Sequence, residues 1–177
     1  PYTFARIYVG MVLGLRPGEV YGLTWENIDW DEATLLVEKQ VQRVKGEGLI
    51  FTQVKQGGVR FISLTDKAME ILKSHLAYLE MQLGSARSGK DLVFPNTVGK
   101  MLDAKRDTKW WKDLLKRAGV DDYQLYQMRK SAITYMGRNT DASTLMSFSG
   151  HSQISTIMKS YSFTDHDRIL VAMNRVE

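Results

Sequence analysis

The chain has 177 residues, a length that fits one domain able to bury a substantial core. It contains no cysteine, so disulfides and thiolate metal sites are excluded, and it has no run of about 18 apolar residues that would predict a membrane span. The formal net charge of +4 suits a polyanionic partner but does not identify one, because many basic proteins bind no nucleic acid.

The first predicted element is a helix over residues 2–13, whose apolar residues recur at a helical period and are expected to face the core, at positions 4, 7, 8, 11, 12 and 15. The sequence from Arg16 to Glu19 opens a second, short helix, because Pro17 at a first-turn position loses no hydrogen bond. Arg16 is therefore expected at a helix N-terminus, where the helix dipole attracts an anion. The alternative is an exposed capping arginine.

Three segments rich in alternating and β-branched residues follow, at 34–44, 49–54 and 59–64. Glycine-containing turns separate them, at 45–48 and 56–58. This pattern predicts a three-stranded antiparallel sheet.

Helices dominate the remainder. Thr65 and Asp66 are expected to cap a long helix whose apolar stripe lies in the core, at Ala68, Ile71, Leu72, Leu76, Leu79 and Leu83. A short buried segment is predicted at 91–95, a basic helix anchored by Trp110 and Trp111 at about 102–118, and further helices at about 125–137, 141–148 and 153–161. The fold class is therefore α+β, mainly α: a helical domain with a small three-stranded antiparallel sheet.

Four positions carry groups suited to chemistry on a phosphodiester: Arg16, Arg129, His151 in a Gly-His-Ser corner, and Tyr161. Arginine and histidine donate hydrogen bonds to phosphate oxygens, and a tyrosine hydroxyl held beside them is a candidate covalent nucleophile. Each has a structural alternative, since His151 after a glycine is a common structural histidine and most tyrosines are packing residues.

The order and spacing of these residues resemble those of the tyrosine recombinases, the phage integrase family. GLRPGEVYGLTWENID, at 14–29, is similar to the family's first arginine box. YQMR, at 126–129, and SGHS, at 149–152, resemble its H-x-x-R and L-G-H-S boxes, and STIMKSYSF, at 155–163, resembles the stretch around its nucleophile. No single box is specific, but together they span about residues 4 to 165 in the family's order.

The resemblance implies a role for each residue. Arg16 and Arg129 clamp the phosphate, with Glu19 orienting Arg16, and His151 stands beside them. Preorganised donors of this kind stabilise the charge that gathers on a pentacoordinate phosphorane. Tyr161, ten residues after His151, attacks the phosphorus and forms a 3′-phosphotyrosyl link.

The resemblance also places a catalytic lysine on the predicted hairpin. Lys55 lies at the turn between the second and third strands, and Arg60 follows five residues later, as in the family. A lysine there donates a proton to the departing 5′ oxygen. Lys45 in the neighbouring turn is the competing candidate, and a solvated turn lysine is the structural alternative.

Tyr126 is the main departure, because it stands where the family usually has histidine. A phenol is a poor base at neutral pH, although it can still donate a hydrogen bond to a phosphate. We therefore keep Tyr126 as a candidate site residue at the usual histidine position and expect activity that is slower. Gln127 and Lys130 also differ from the commoner residues, which weakens assignment to a subfamily.

No metal-ligand constellation and no Walker loop occur in the sequence, so the expected chemistry needs no metal, cofactor or ATP. The resemblance implies a site-specific recombinase or integrase of a mobile element, acting on double-stranded DNA, self-associating as a dimer or tetramer, and assisted by accessory DNA-bending or directionality proteins. A type IB topoisomerase and a catalytically impaired DNA-binding module are the alternatives. We expect a cytoplasmic, DNA-associated protein.

The domain organisation is expected to be a single catalytic domain over residues 1–177. Because the chain begins at Pro1, we expect a fragment of a longer protein whose N-terminal DNA-binding domain precedes it.

Overall fold

The computed structural model describes residues 2–54 and 58–150, together with Ser155. The helices are α1 (Tyr2–Val12), α2 (Pro17–Gly22), α3 (Asp66–Leu83), α4 (Ala104–Ala118), α5 (Gln127–Asn139) and α6 (Ala142–Ser149), with a 3₁₀ turn at Trp25–Asn27. The strands are β1 (Ile28–Asp29), β2 (Thr34–Val37), β3 (Lys39–Val44), β4 (Gly48–Gln53) and β5 (Arg60–Ser63). The predicted class, mainly helical with a small antiparallel sheet, is confirmed.

The strands form two sheets, and their membership differs from the prediction of one three-stranded sheet over 34–64. β1, β2 and β5 form a three-stranded antiparallel sheet, while β3 and β4 form a separate hairpin. The predicted strand 34–44 is divided at Glu38, which lies between β2 and β3. β2 pairs with β1 and β5, whereas β3 pairs with β4. Leu35, Val37 and Val41 keep one two-residue alternation of burial, but Gln40 is buried as well, because α2 lies against it at Gly18 and Gly22.

Helix α1 turns a different face to the core than its apolar period predicted. Its deeply buried residues are Ala5 and Val9, while Phe4 and Met11, expected inside, are 59% and 44% exposed. The reason is close packing, because a side chain added at Gly10 would lie 3.1 Å from the Met128 methyl carbon of α5. A glycine therefore occupies this contact with α5, and close packing of this kind is not visible in the apolar period.

Helix α3 follows its prediction closely. The Thr65 hydroxyl accepts a hydrogen bond of 3.2 Å from the Ala68 backbone N–H, and Gly84 ends the helix in the left-handed conformation. His75 is completely buried on its inner face, where its ring stacks on Phe94 with centroids 5.0 Å apart and its Nε2 lies 2.7 Å from the Val93 carbonyl oxygen. The predicted buried segment 91–95 thus packs against α3.

Helix α4 is held to α1 and α2 by a buried polar group. Asp107 pairs with Arg6 at 2.7 Å and accepts a hydrogen bond of 2.7 Å from the Tyr21 hydroxyl. The Arg6 guanidinium also lies 3.7 Å from the centre of the Trp110 ring, and the buried Trp111 donates its indole N–H to the Tyr123 carbonyl at 2.8 Å. Both tryptophans therefore anchor the basic helix, as the sequence predicted.

In the described part of the chain, no helix has the length and hydropathy needed to cross a membrane.

Candidate active site

The first arginine box folds into a turn that fixes Arg16 at the start of α2. Gly14 adopts φ +64°, Pro17 occupies the first turn, and Arg16 is the N-cap residue, as predicted. Glu19 accepts the Arg16 backbone N–H at 2.7 Å and the Arg16 Nη1 at 2.8 Å. One carboxylate therefore holds both the backbone and the side chain of Arg16.

Helix α2 packs directly against β3, and this contact determines how deeply Arg16 and Glu19 are buried. A side chain added at Gly22 would place its Cβ 2.9 Å from the Gln40 Cα, and one at Gly18 would lie 3.0 Å from the Val41 carbonyl oxygen. Real Cβ atoms essentially never lie within 3.0 Å of backbone and seldom lie at 3.0 Å, so both glycines permit this contact. The Glu19 side chain is consequently only 1% exposed, whereas that of Arg16 remains 26% exposed.

Arg129 reaches the same carboxylate from α5. It is completely buried, and its Nη1 donates to the Gly14 carbonyl at 2.7 Å while its Nη2 donates to the Ser149 carbonyl at 2.5 Å. Its Nη1 also lies 4.0 Å from Glu19 Oε2. The structure thus brings Arg16, Glu19 and Arg129 together from opposite ends of the chain.

Arg60 is the third guanidinium at this carboxylate, a role that its spacing from Lys55 in the sequence does not predict. Its Nη1 and Nη2 donate to the two Glu19 oxygens at 3.1 and 2.9 Å, in a bidentate pair. The signal was present in the alternation of β5, which puts Arg60 on the buried face with Ile62. A cation on a buried strand face needs a carboxylate, and Glu19 is that carboxylate.

The cluster of Arg16, Arg60, Arg129 and Glu19, called here the arginine cluster, carries a formal charge of 3 − 1 = +2. Burial by itself would raise the pKa of the Glu19 carboxyl, but the hydrogen bonds and charges of Arg60 and Arg16 outweigh burial and hold that pKa below its usual range. The carboxylate is therefore ionised at neutral pH. The excess positive charge can attract a phosphate.

The end of α6 lies against the beginning of β5. Gly150 caps α6 with φ +64°, and a Cβ there would meet Arg60 Nη1 at 3.1 Å and Gly58 Cα at 3.4 Å. Gly150 immediately precedes His151 in the sequence, and Gly58 follows Lys55 by three residues.

Three of the predicted site residues, Lys55, His151 and Tyr161, lie outside the described residues, so their predicted roles stay predictions. The competing Lys45 lies in the β3–β4 turn at residues 45–47. Tyr126 is the N-cap residue of α5 and is 44% exposed, one turn before the buried Arg129. Within the described ranges, no group of three or more His, Asp or Glu side chains is placed to hold a metal ion.

The fold and the site together define a class: a mainly helical domain in which two distant arginine boxes meet at one buried carboxylate. The family model described as "Phage integrase family" matches residues 5–167, and the chain belongs to this family. The resemblance seen in the sequence is thereby confirmed.

Curated relatives share this assignment. The chain is 28% identical over 164 residues to a protein named tyrosine recombinase XerC-like from Caldanaerobacter subterraneus subsp. tengcongensis, a match covering 84% of this chain and 42% of that protein. It is 24% identical to a putative integrase/recombinase from Haemophilus influenzae, covering 90% of this chain and 43% of the relative. The chain therefore spans less than half the length of these relatives.

Solved structures show the same fold. The integrase of transposon Tn1549, determined in complex with transposon right end DNA, superimposes with a TM-score of 0.80 at 20% identity, covering 97% of this chain and 58% of that one. XerA recombinase superimposes with a TM-score of 0.72 at 19% identity, covering 98% of this chain and 58% of its own.

Proposed function

We propose that this chain is the catalytic domain of a site-specific DNA recombinase, which cleaves and rejoins DNA strands through a 3′-phosphotyrosyl intermediate. The observation that carries the proposal is the meeting of Arg16 and Arg129 at Glu19. The two residues are 113 positions apart in sequence, yet both contact one carboxylate. Family membership supports the same conclusion.

The proposed reaction is a transesterification in which no bond energy is lost. The Tyr161 hydroxyl gives its proton to solvent water as its oxygen attacks the scissile phosphorus. A new P–O bond to tyrosine forms, and the P–O bond to the 5′ oxygen breaks. Arg16, Arg129 and His151 bind the nonbridging oxygens, whose negative charge increases in the transition state. Lys55 gives a proton to the leaving 5′ oxygen. Attack by a 5′ hydroxyl on the phosphotyrosine reverses these steps and rejoins the strand.

Tyr126 is proposed to assist weakly. Its exposed phenol precedes Arg129 by one helical turn, a position from which it donates a hydrogen bond to the phosphate rather than accepting the nucleophile's proton.

Double-stranded DNA is the proposed substrate, and the DNA-bound structure of the Tn1549 integrase supports this. Lysines and arginines on α4 are candidates for backbone phosphate contacts, at Lys105, Arg106, Lys109, Lys112, Lys116 and Arg117. Self-association on DNA as a dimer or tetramer and assistance by accessory DNA-bending or directionality proteins belong to the same proposal.

A nicked suicide duplex tests the proposed function. Cleavage next to the nick releases a short strand by diffusion, so the covalent intermediate accumulates and is counted on a denaturing gel. Wild-type protein is expected to form the adduct, Tyr161→Phe to form none, and Tyr135→Phe, at a 70% exposed tyrosine of α5, to behave as wild type.

Absence of any adduct with the wild-type chain under conditions where it binds DNA overturns the proposal in favour of an impaired binding module. An adduct accompanied by plasmid relaxation, but by no exchange between two target sites in the longer protein, indicates topoisomerase chemistry instead.

A further inference from the structure

We propose that Arg60 is a positioning residue for strand cleavage: it neutralises Glu19, so that Arg16 and Arg129 keep their positive charge for the DNA phosphate, and it fixes the end of α6 against β5. This inference rests on the proposed function, since it assigns how the same site is held. Arg60 acts through other residues and does not itself contact DNA.

The hydrogen bonds of Arg60 leave little capacity for a phosphate. Nη1 donates to Glu19 Oε1 at 3.1 Å and to the Gly58 carbonyl at 3.0 Å, Nη2 donates to Glu19 Oε2 at 2.9 Å, and Nε donates to the Phe148 carbonyl at 2.9 Å. A guanidinium has five N–H donors, and these contacts use four of them. The Arg60 side chain is also only 4% exposed, so DNA has little access to it.

Charge balance explains why the site needs this residue. Without Arg60, the formal charge of the arginine cluster falls from +2 to 2 − 1 = +1. The Glu19 carboxylate would then be compensated by Arg16 alone at hydrogen-bonding distance, with Arg129 at 4.0 Å. A buried carboxylate is costly unless positive charge pairs with it, so Glu19 would pair more closely with Arg16 and Arg129. Their attraction for the phosphate would then be weaker. Arg60 supplies that compensation separately.

The backbone contacts give Arg60 a second effect. The Phe148 carbonyl belongs to the last turn of α6, and the Gly58 carbonyl to the segment leading into β5. One planar side chain therefore joins α2, α6 and the β5 segment, and its fork geometry fixes their relative positions. Lysine can keep the charge, but it cannot make all of these contacts in the same plane.

The test compares Arg60→Met, Arg60→Lys and the double variant Glu19→Gln/Arg60→Met. Two quantities are measured for each: the rate of adduct formation on the suicide duplex at saturating DNA, and the slope of log K for DNA binding against log salt. Arg87→Lys is the matched control, because Arg87 is another largely buried arginine, paired with Asp91 at 3.1 Å in the loop after α3.

We expect Arg60→Met to lower the adduct rate about 10- to 100-fold, by analogy with the residues that hold metal ligands in place, whose removal costs activity in that range. Arg60→Lys is expected to fall between wild type and Arg60→Met. The double variant is expected to cleave faster than Arg60→Met, because it no longer contains an uncompensated carboxylate. The salt slope is expected to stay at the wild-type value in all variants, and Arg87→Lys to cleave as wild type.

A salt slope reduced by about 0.9 in Arg60→Lys or the double variant overturns the inference, because that is the loss expected for one phosphate contact. An adduct rate for Arg60→Lys equal to that of wild type also overturns it, as does a double variant no faster than Arg60→Met. If Arg60→Met does not fold, as judged by circular dichroism, Arg60→Lys decides the question alone. A wild-type chain that forms no adduct counts against the proposed function, which is a separate result.

Discussion

Arg129 donates a hydrogen bond of 2.7 Å to the carbonyl oxygen of Gly14, a residue 115 positions earlier in the chain. Gly14 is the left-handed residue that turns the chain into the Arg16 helix, so this bond joins the two arginine boxes directly. The geometry of the arginine cluster is therefore part of the fold, and changes in the cluster affect stability as well as chemistry.

Replacement of Arg129 is expected to destabilise the protein. Arg129→Met removes the donors of the Gly14 and Ser149 carbonyls in a fully buried position, which costs about 3 to 5 kcal/mol by analogy with other broken buried charge networks. Urea unfolding measures this loss. The control is Arg138→Met on the exposed last turn of α5, for which we expect a change within about 0.5 kcal/mol. Equal effects of the two substitutions would contradict the structural role of Arg129.

The contact between α2 and β3 predicts a steric effect at Gly22. Gly22→Ala places a methyl group 2.9 Å from the Gln40 Cα, where backbone must move, and we expect a loss of about 1 to 3 kcal/mol. Gly89→Ala is the matched control, because its added methyl group comes no closer than 3.2 Å, to the Glu26 Cβ, and needs a shift of only a few tenths of an ångström. Thermal unfolding compares the two variants. If the Gly22→Ala protein is as stable as the Gly89→Ala protein, the close contact between α2 and β3 at Gly22 is contradicted.

His75 predicts a loss of stability on acidification. Burial lowers the pKa of His75, because the imidazolium would lie without solvent among aromatic rings. The unfolded chain, with a histidine pKa of about 6.5, then binds a proton that the folded chain does not. Stability from this residue is therefore present above about pH 6.5 and is lost as the pH falls, by at most about 1.4 kcal/mol per pH unit.

The comparison for this prediction is His75→Gln, which cannot take up the proton. We expect the variant to be less stable than wild type at pH 7.5, because it loses the ring stacking with Phe94. The gap in the free energy of unfolding should narrow between pH 6.5 and pH 5. A gap that stays constant over this window, or widens, would contradict the assignment of a neutral buried imidazole.

The buried pair of Arg6 and Asp107 is expected to matter far more than a surface pair. Asp107→Asn leaves the Arg6 charge uncompensated, and both side chains are less than 10% exposed, so we expect a loss of about 3 to 5 kcal/mol. Lys67→Met breaks an exposed ion pair with Glu70, for which we expect at most about 1 kcal/mol. Urea unfolding of both variants checks the ranking, and the reverse order would show that α4 is anchored by other contacts.

Much of the candidate site could be read from the sequence because its residues lie in short local patterns. Pro17 and Glu19 define the start of α2 around Arg16, and a helical Arg129 follows from the pattern around it. The meeting of Arg16 and Arg129 at one carboxylate depends on long-range packing. The family resemblance predicts this meeting, whereas local helix and turn propensities contain no information about it.

The features that the sequence did not predict correctly share a physical origin, because each depends on contacts between secondary-structure elements. Gly10 of α1 lies close to Met128 of α5, and the buried face of α1 contains Ala5 and Val9, so the apolar period predicted the wrong face. Likewise, the strand break at Glu38 and the role of Arg60 depend on which partner lies across the core. Alternation in β5 indicated that Arg60 is buried, but it did not identify Glu19 as its partner.

Replacement of Arg16 tests whether the arginine cluster binds the scissile phosphate. Its side chain is partly exposed, so Arg16→Met removes a phosphate donor while leaving the buried Arg60–Glu19 pair in place. The measurement is the adduct rate on the suicide duplex at saturating DNA, with Arg138→Met on the exposed last turn of α5 as control. We expect a fall of about 100- to 1,000-fold for Arg16→Met, with Arg138→Met close to wild type. An Arg16→Met rate within twofold of wild type would contradict phosphate binding by the arginine cluster.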